Sequence, residues 1–387
     1  MPSATPKICV VTGSRADYGL LYWLLRELRD DAAFELQLAV TGMHLSAEFG
    51  LTRSLIEDDG FSIAATIDSL MPGDTAAAVT RSMARGLAGF ADAYERLRPD
   101  LVVVLGDRYE IMAAATAAYL ARIPLAHIGG GDVTEGAFDE ALRHGITKMA
   151  HLHFVSHEEA RLRVLQLGED PLTVHVVGHP GIEQIKRLPL LSRAQVEARL
   201  QFRLRPRNLL ITHHPETLSA RSSQGQFADV LTALERLGPD YGLIFTRPNA
   251  DTEGRALIGL LDAFVLDREN AVAFASLGQH LYLSIAALAD AVVGNSSSGI
   301  FEVPALGRPT VNIGARQKGR PLAASVISAD ADATSIQSAI ERALRLDCST
   351  AHSPFGDGTT SSRIMAVLRA APPSGLPAKR FVDQALP

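Results

Sequence analysis

The run LVVVLGD, at positions 101–107, constrains the fold more than any other stretch. Its apolar part is too short for a membrane span and rich in β-branched side chains, which predicts a strand buried on both faces of a parallel sheet. The same pattern recurs along the chain. KICVVT precedes the helix-forming LLYWLLRELRD, ELQLAVTG precedes a polar loop, and PLAHI precedes a glycine cluster and the helix-forming DEALRH. Short apolar strands alternating with amphipathic helices predict an α/β fold of parallel sheets covered on both faces. The alternation restarts at RNLLITHHPET, as a second domain of similar build requires. The turn VVGHPG marks the boundary: residues 1–185 form a first Rossmann-like domain, 186–360 a second, and 361–387 a C-terminal helix and tail. The tail from Pro372 to Pro387, rich in Pro and Ala, reads as a surface extension.

Length and charge exclude several classes of function. A chain of 387 residues with 47% hydrophobic and 21% charged side chains is globular and long enough for two domains. A net charge of −6 provides no polybasic surface, which argues against nucleic acid or anionic membrane as a partner. Cys9 and Cys348 alone supply neither a disulfide framework nor a thiolate zinc site. The N-terminal MPSATPK lacks the apolar core of an export signal, and no stretch reaches the roughly 18 apolar residues of a membrane span. These features predict a cytoplasmic protein.

Ligands of open α/β sheets bind beyond the carboxyl ends of the strands, so polar residues there are the first candidates. Asp107 follows LVVVLG and either faces that crevice or caps the helix EIMAAATAAYLA. Beyond PLAHI, Gly129 to Gly131 let the backbone approach a ligand, and Asp132 follows them. If the next helix begins near Gly136, Asp139 and Arg143 lie four apart on one face, as do Glu140 and His144. Surface ion pairs at that spacing are the plain alternative to a catalytic role. Asp107, Asp132 and Asp139 all follow adjacent predicted strands and so could converge on one crevice. At the end of the first strand, GSRADYG departs from the GxGxxG dinucleotide fingerprint. Its glycine-serine turn can still offer N–H groups to a phosphate, with Arg15 as a bidentate partner, unless Arg15 pairs with Asp17. His44 lies in the polar loop after the second strand, and Glu57, Asp58 and Asp59 read as a solvated helix end.

In the second domain His213 and His214 end a buried strand, and one of them is expected to face the ligand. Arg247, Asn249, Asp251 and Arg255 follow the strand YGLIF. The strand DAVVGN opens into Ser296, Ser297, Ser298 and Gly299 at a helix start, an anion cradle that suits a diphosphate. Glu302 is expected in the first turn, where it would accept from ribose hydroxyls rather than welcome phosphate. The ordinary alternative has Ser296 as N-cap and Glu302 as partner of the helix dipole. Arg316, Lys318 and Arg320 would offset diphosphate charge or form a solvated basic loop.

The motifs GSRADYG, GMHLSAEFG, GDRYE, HIGGGDVTEGAFDEALRHGITKMAHLHF, VGHPGI, HHPET, PNAD, NSSSGIFEVP and NIGARQKGR span residues 12–320 in this order. Together they resemble the hydrolysing UDP-N-acetylglucosamine 2-epimerase family. DVTEGAFDEALRH and NSSSGIFEVP are most similar to its branch acting on UDP-N,N'-diacetylbacillosamine in legionaminic acid synthesis. The resemblance implies the glycosyltransferase-B fold, with nucleotide held mainly by the second domain, sugar between the two, and the last helix crossing back to the first. It makes Asp107 and Asp139 catalytic carboxylates and His214 a histidine near the diphosphate. It gives Arg15, Ser296, Ser297, Glu302 and Arg316 nucleotide-binding roles. Asp17, Arg108, Arg143, His44, Asn249, Asp251, Ser298 and Gly299 complete the candidate substrate-binding set. One departure stands out: sialic-acid-type members carry glutamate at the position of Gly129, which leaves Asp132 as the acid to contribute there.

The chemistry implied is elimination and hydration. H2 and the anomeric oxygen of an α-linked donor are anti, so loss of H2 and UDP gives a glycal, and water then yields the free 2-epimer. No carbonyl acidifies H2, so departure of the diphosphate runs ahead and carboxylates stabilise the oxocarbenium character. Arginine and helix N-terminal groups suffice for the leaving UDP, and no metal or redox cofactor is called for. The expected partner is the UDP-sugar, with a homo-oligomer compatible. The motifs fit uridine or guanosine as base, and hydroxyl or acetamido at C4. Other classes sharing the diphosphate cradle are a non-hydrolysing epimerase, a retaining glycosyltransferase and a non-catalytic nucleotide-sugar-binding module.

Overall fold

The computed structural model describes residues 5–47, 51–72, 75–133, 139–215, 221–247, 254–274, 277–349, 351, 353–370, 373, 376 and 378–383. The chain divides into two compact units, Met1–Gln184 with Gly358–Pro387, and Ile185–Asp357.

The first unit holds strands β1 (Lys7–Thr12), β2 (Glu35–Thr41), β3 (Ile63–Ile67), β4 (Leu101–Leu105), β5 (Leu125–Ile128), β6 (Leu152–Val155) and β7 (Val174–Val176). Its helices are α1 (Arg15–Asp30), α2 (Arg53–Asp58), α3 (Ala76–Leu97), α4 (Tyr109–Leu120), α5 (Asp139–Met149) and α6 (Glu158–Gln166), and α7 (Pro180–Arg187) contains the break between units. The sheet runs β3-β2-β1-β4-β5-β6-β7 with every pairing parallel. Why β4 is apolar throughout follows from where its side chains go. Leu101 and Val103 pack with Leu21, Leu25 and Phe154, while Val102 and Val104 pack with Phe90, Tyr94 and Ala114 on the other face. Each such buried side chain contributes roughly 1.5–3 kcal/mol. Strand order reverses between β1 and β4, which opens a crevice at their carboxyl ends.

The second unit holds β8 (Arg207–Thr212), β9 (Tyr241–Thr246), β10 (Ala271–Phe274), β11 (Ala291–Gly294), β12 (Thr310–Ile313) and β13 (Val326–Ala329), in the order β10-β9-β8-β11-β12-β13 and again all parallel. Helices α8 (Arg193–Leu200), α9 (Ser223–Glu235), α10 (Gly254–Leu266), α11 (Gly278–Leu288), α12 (Ser298–Ala305) and α13 (Ala333–Ala343) accompany it. Leu209 and Ile211 face Phe227, Leu257 and Ile336, whereas Leu210 and Ile244 face Val196, Ile285 and Val303. The reversal here lies between β8 and β11.

Helix α14 (Thr360–Ala370) belongs to the first unit, where Ile364, Met365 and Leu368 pack with Leu21, Leu24 and Leu28 of α1. Its start is held by Glu183, which accepts from Ser361 N and Oγ at 2.7 Å each. The tail beyond it runs over the surface of the same unit and is anchored there. Lys379 Nζ donates to the buried Glu169 carboxylate and to Ala150 O at 2.7 Å, and Val382 N donates to Gly168 O at 2.9 Å. Among the described residues, no helix is long and apolar enough to cross a membrane.

Candidate active site

In the first unit the candidates gather beyond β1, β4 and β5, along the edge where the strand order reverses. Asp107 follows β4 but does not cap α4; Arg108 occupies that position without a side-chain cap. Instead the Asp107 carboxylate takes a hydrogen bond from Arg143 Nη2, with side chains 20% and 8% exposed. The other terminal nitrogen, Arg143 Nη1, donates to Asp132 O at 2.6 Å. Arg143 thus ties the ends of two adjacent strands, and it bonds Asp107 where the plain i,i+4 alternative would have paired it with Asp139. Glu140 and His144 do pair, at 3.7 Å.

The Asp132 side chain turns towards β6. Its Oδ1 accepts from Ser156 Oγ at 2.7 Å and lies 3.2 Å from His157 Nε2. Because His157 Nδ1 accepts from Ala160 N, capping α6, the Nε2 nitrogen is assigned the proton it directs at Asp132. Burial opposes ionisation of Asp132, but the bonds from His157 and Ser156 outweigh it and hold its pKa below the usual value. Asp139 is perturbed the other way. Burial and the neighbouring Asp107 raise its pKa, against the opposing charges of Arg108 and Arg143.

At the end of β1, Arg15 is exposed and is not paired with Asp17. Asp17 is buried, its carboxylate accepts from Gly13 N at 3.2 Å, and its own N–H donates to the Ser14 cap at 3.3 Å. His44 is closed off from any ligand by its own neighbours. Its Nε2 meets Thr12 Oγ1 at 3.0 Å and its Nδ1 meets Thr52 Oγ1 at 2.8 Å, and burial pushes its pKa down to about 4. Its role in this structure is to pin the loop after β2, so the expected substrate contact finds no spare ring nitrogen. Gly129 adopts φ +84°, and a Cβ there would meet only Gly106 N, at 4.0 Å.

In the second unit a residue not singled out from the sequence organises the site. Asn295 is fully buried; its Oδ1 accepts from His214 N at 2.7 Å and its Nδ2 donates to His214 O at 2.8 Å. Its carbonyl accepts from Gln317 Nε2 at 2.8 Å and Arg316 Nη1 at 3.1 Å. Through its side chain and its main-chain carbonyl, this one residue joins the ends of β8 and β11 and the loop after β12. The signal available was a lone Asn at a strand end, flanked by serines. The turn after it runs Ser296 to Gly299, with Ser298 N donating to Ser296 Oγ at 3.4 Å. Among the described residues, the N–H groups of Ser296 and Ser297 take no partner.

Because α12 begins at Ser298, Glu302 stands in its second turn rather than its first. Its carboxylate accepts from Ser298 Oγ, and burial raises its pKa. His214 is half-buried with its backbone on Asn295, while His213 turns inward and stacks on Phe227 with centroids 5.6 Å apart. Arg247 bonds Asp262 at 2.7 Å. Asn249 and Asp251 lie outside the described residues. No three His, Cys, Asp or Glu side chains gather as a metal site among those described.

Comparison with known proteins identifies the family. A family model described as UDP-N-acetylglucosamine 2-epimerase matches residues 26–369. The Campylobacter jejuni protein named GDP/UDP-N,N'-diacetylbacillosamine 2-epimerase (hydrolyzing) is 41% identical over 337 residues, 87% of each chain. A Legionella pneumophila protein named UDP-N,N'-diacetylbacillosamine 2-epimerase (hydrolyzing) is 35% identical over 370 residues, covering 95% of this chain and 96% of its own. The crystal structure of UDP-GlcNAc 2-epimerase from Neisseria meningitidis bound to UDP-GlcNAc aligns with a TM-score of 0.77 at 18% identity, over 94% of this chain and 100% of that one, which shows the shared fold. The chain therefore belongs to the UDP-N-acetylglucosamine 2-epimerase family and is an enzyme of its hydrolysing type.

Proposed function

We propose that the substrate is a UDP-2-acetamido sugar, UDP-N,N'-diacetylbacillosamine in preference to UDP-GlcNAc, and that the products are UDP and the free 2-epimer. The preference is supported by the names of the Campylobacter and Legionella relatives and by glycine at position 129. The observation that carries the mechanism is the carboxylate pair Asp107 and Asp139, unlike in surroundings and flanked by Arg108 and Arg143.

In this reading the first unit performs the proton transfers. One carboxylate takes H2 as the C1–O bond breaks and UDP leaves, giving the C1=C2 glycal. Water then supplies the hydroxyl at C1 while a carboxylic acid protonates C2 from the opposite face. Asp139 suits the proton-exchanging role, since burial and the neighbouring Asp107 favour its neutral form more than in an ordinary carboxyl. Asp107, bound to Arg143, suits electrostatic stabilisation of positive character at C1. Asp132 already accepts from Ser156 and His157, so it serves as a structural anion that fixes the loop rather than as the second acid. The second unit binds the leaving diphosphate at the free N–H groups of Ser296 and Ser297, with Arg316 beside them. His214, Gly299 and Glu302 line or brace that turn.

Proton NMR in D2O with each donor tests the proposal. Release of UDP and a free 2-epimer carrying deuterium at C2 is the expected outcome. A returned UDP-linked epimer would instead indicate the non-hydrolysing reaction, and an unchanged donor would indicate binding alone.

A further inference from the structure

Glu110, in the first turn of α4, is 1% exposed and belongs to none of the roles assigned above. It lies under the β1 turn: a Cβ on Gly13 would come within 2.8 Å of Glu110 Cγ, and one on Gly42 within 3.4 Å of its Oε1. One carboxylate oxygen, Oε1, sits 2.5 Å from Arg108 Nε. The other, Oε2, is buried and has no hydrogen-bond partner among the described residues. Packing alone does not explain such a group, because an apolar side chain would fill the space without desolvating a carboxylate. What the carboxylate does accomplish is to grip Arg108 by its inner nitrogen.

We propose that Glu110 is a positioning residue that acts through Arg108, setting where the guanidinium sits relative to Asp139. The inference rests on the reading of Asp139 as the proton-exchanging acid. The groups that act on Asp139 are Asp107, Arg108 and Arg143, and those that act on Arg108 are Glu110, Asp17 and Tyr109. Arg108 lowers the Asp139 pKa, so losing its placement must let that pKa rise. The Arg108 side chain is 34% exposed and has water to turn to once released.

Two conservative substitutions separate placement from charge. Glu110→Asp keeps the charge but shortens the reach to Arg108 Nε, whereas Glu110→Gln keeps the reach and removes the charge. The Asp139 carboxyl is titrated by carbon NMR, its signal assigned by its absence in Asp139→Asn. Placement predicts that Glu110→Asp raises the Asp139 midpoint by about half a pH unit or more and lowers kcat about tenfold with KM little changed. It also predicts that the effect disappears in an Arg108→Met background. A wild-type midpoint in Glu110→Asp, a lowered midpoint in Glu110→Gln as the larger effect, or an undiminished shift in the Arg108→Met background would overturn it. The titration needs no turnover, so it decides this inference even if the wild-type protein releases no UDP, a result that would overturn the proposed function alone.

Discussion

Arg143 on α5 bonds the carboxylate of Asp107 at the end of β4, although the two are 36 positions apart in the chain. Both side chains are largely out of water, so neither can lose its partner cheaply. Removing one member of such a pair costs about 3–5 kcal/mol, because the other charge remains desolvated. Arg143→Met is expected to lower the stability of the first unit by about 3 kcal/mol, read from urea unfolding midpoints. Asp107→Asn preserves shape and a hydrogen-bond acceptor, so it should stay folded while UDP release is abolished. Near-normal release from folded Asp107→Asn would remove Asp107 from the mechanism.

That pair also shows how far local spacing reaches. The strands and helices were legible because a strand covered on both faces must be apolar at every position, as Val102, Val103 and Val104 are. Asp107, Asp132 and Asp139 were legible as residues beyond strand ends. The choice of partner was not, since Asp139 sits four residues from Arg143 while Asp107 reaches it only because β4 and β5 are neighbours in the sheet. Likewise Glu302 shifted role when α12 began at Ser298, as a small change in a helix start moves a side chain from one turn to the next. The Pro- and Ala-rich tail read as a surface extension, and its anchor was not legible because nothing in its composition announces the buried Glu169 that Lys379 meets.

That glutamate sets an expected response to acid. Burial opposes ionisation of Glu169, but hydrogen bonds from His153, Lys148 and Lys379 outweigh it and bring its pKa down to about 2. A folded pKa below the unfolded value of about 4.3 means that the folded state binds fewer protons. The resulting stability, about 3 kcal/mol, is present above pH ~4.3 and is lost as pH falls towards 2. Glu169→Gln should therefore be less stable than wild type at pH 7 and should lose less on acidification. Urea midpoints at pH 7 and pH 3 check both; equal acid sensitivity in the two proteins would detach the tail anchor from acid unfolding.

Gly129 offers a test of the family departure noted in the sequence. A Cβ there would meet only Gly106 N, at an ordinary contact distance of 4.0 Å, but its φ of +84° belongs to the left-handed region. Placing an L side chain there costs about 1–2 kcal/mol. Gly129→Glu should fold with a lower unfolding midpoint by that amount. Its carboxylate would enter near Asp107, and a like charge nearby should shift the acidic limb of the kcat/KM profile to higher pH. An unshifted limb would place the new carboxylate away from the reacting acids.

The serine turn of the second unit makes opposite demands on stability and binding, which gives the cleanest test of the diphosphate cradle. Ser297 is exposed at the N-cap position of α12, and its side chain makes no capping bond. Aspartate caps about as well as serine, and a negative charge at a helix N-terminus is favourable by about 0.3–1 kcal/mol, so Ser297→Asp should melt no lower than wild type. A diphosphate bound at the N–H groups of Ser296 and Ser297 would meet that carboxylate directly. The Kd for UDP, measured by calorimetry, should rise at least about tenfold, a loss of ~1.4 kcal/mol, and the rise should shrink as added salt screens the repulsion. Ser297→Ala should bind UDP nearly as well as wild type, because the backbone donors are kept. An unchanged Kd in Ser297→Asp would mean that the diphosphate is held elsewhere in the unit, whatever the turn's resemblance to an anion site.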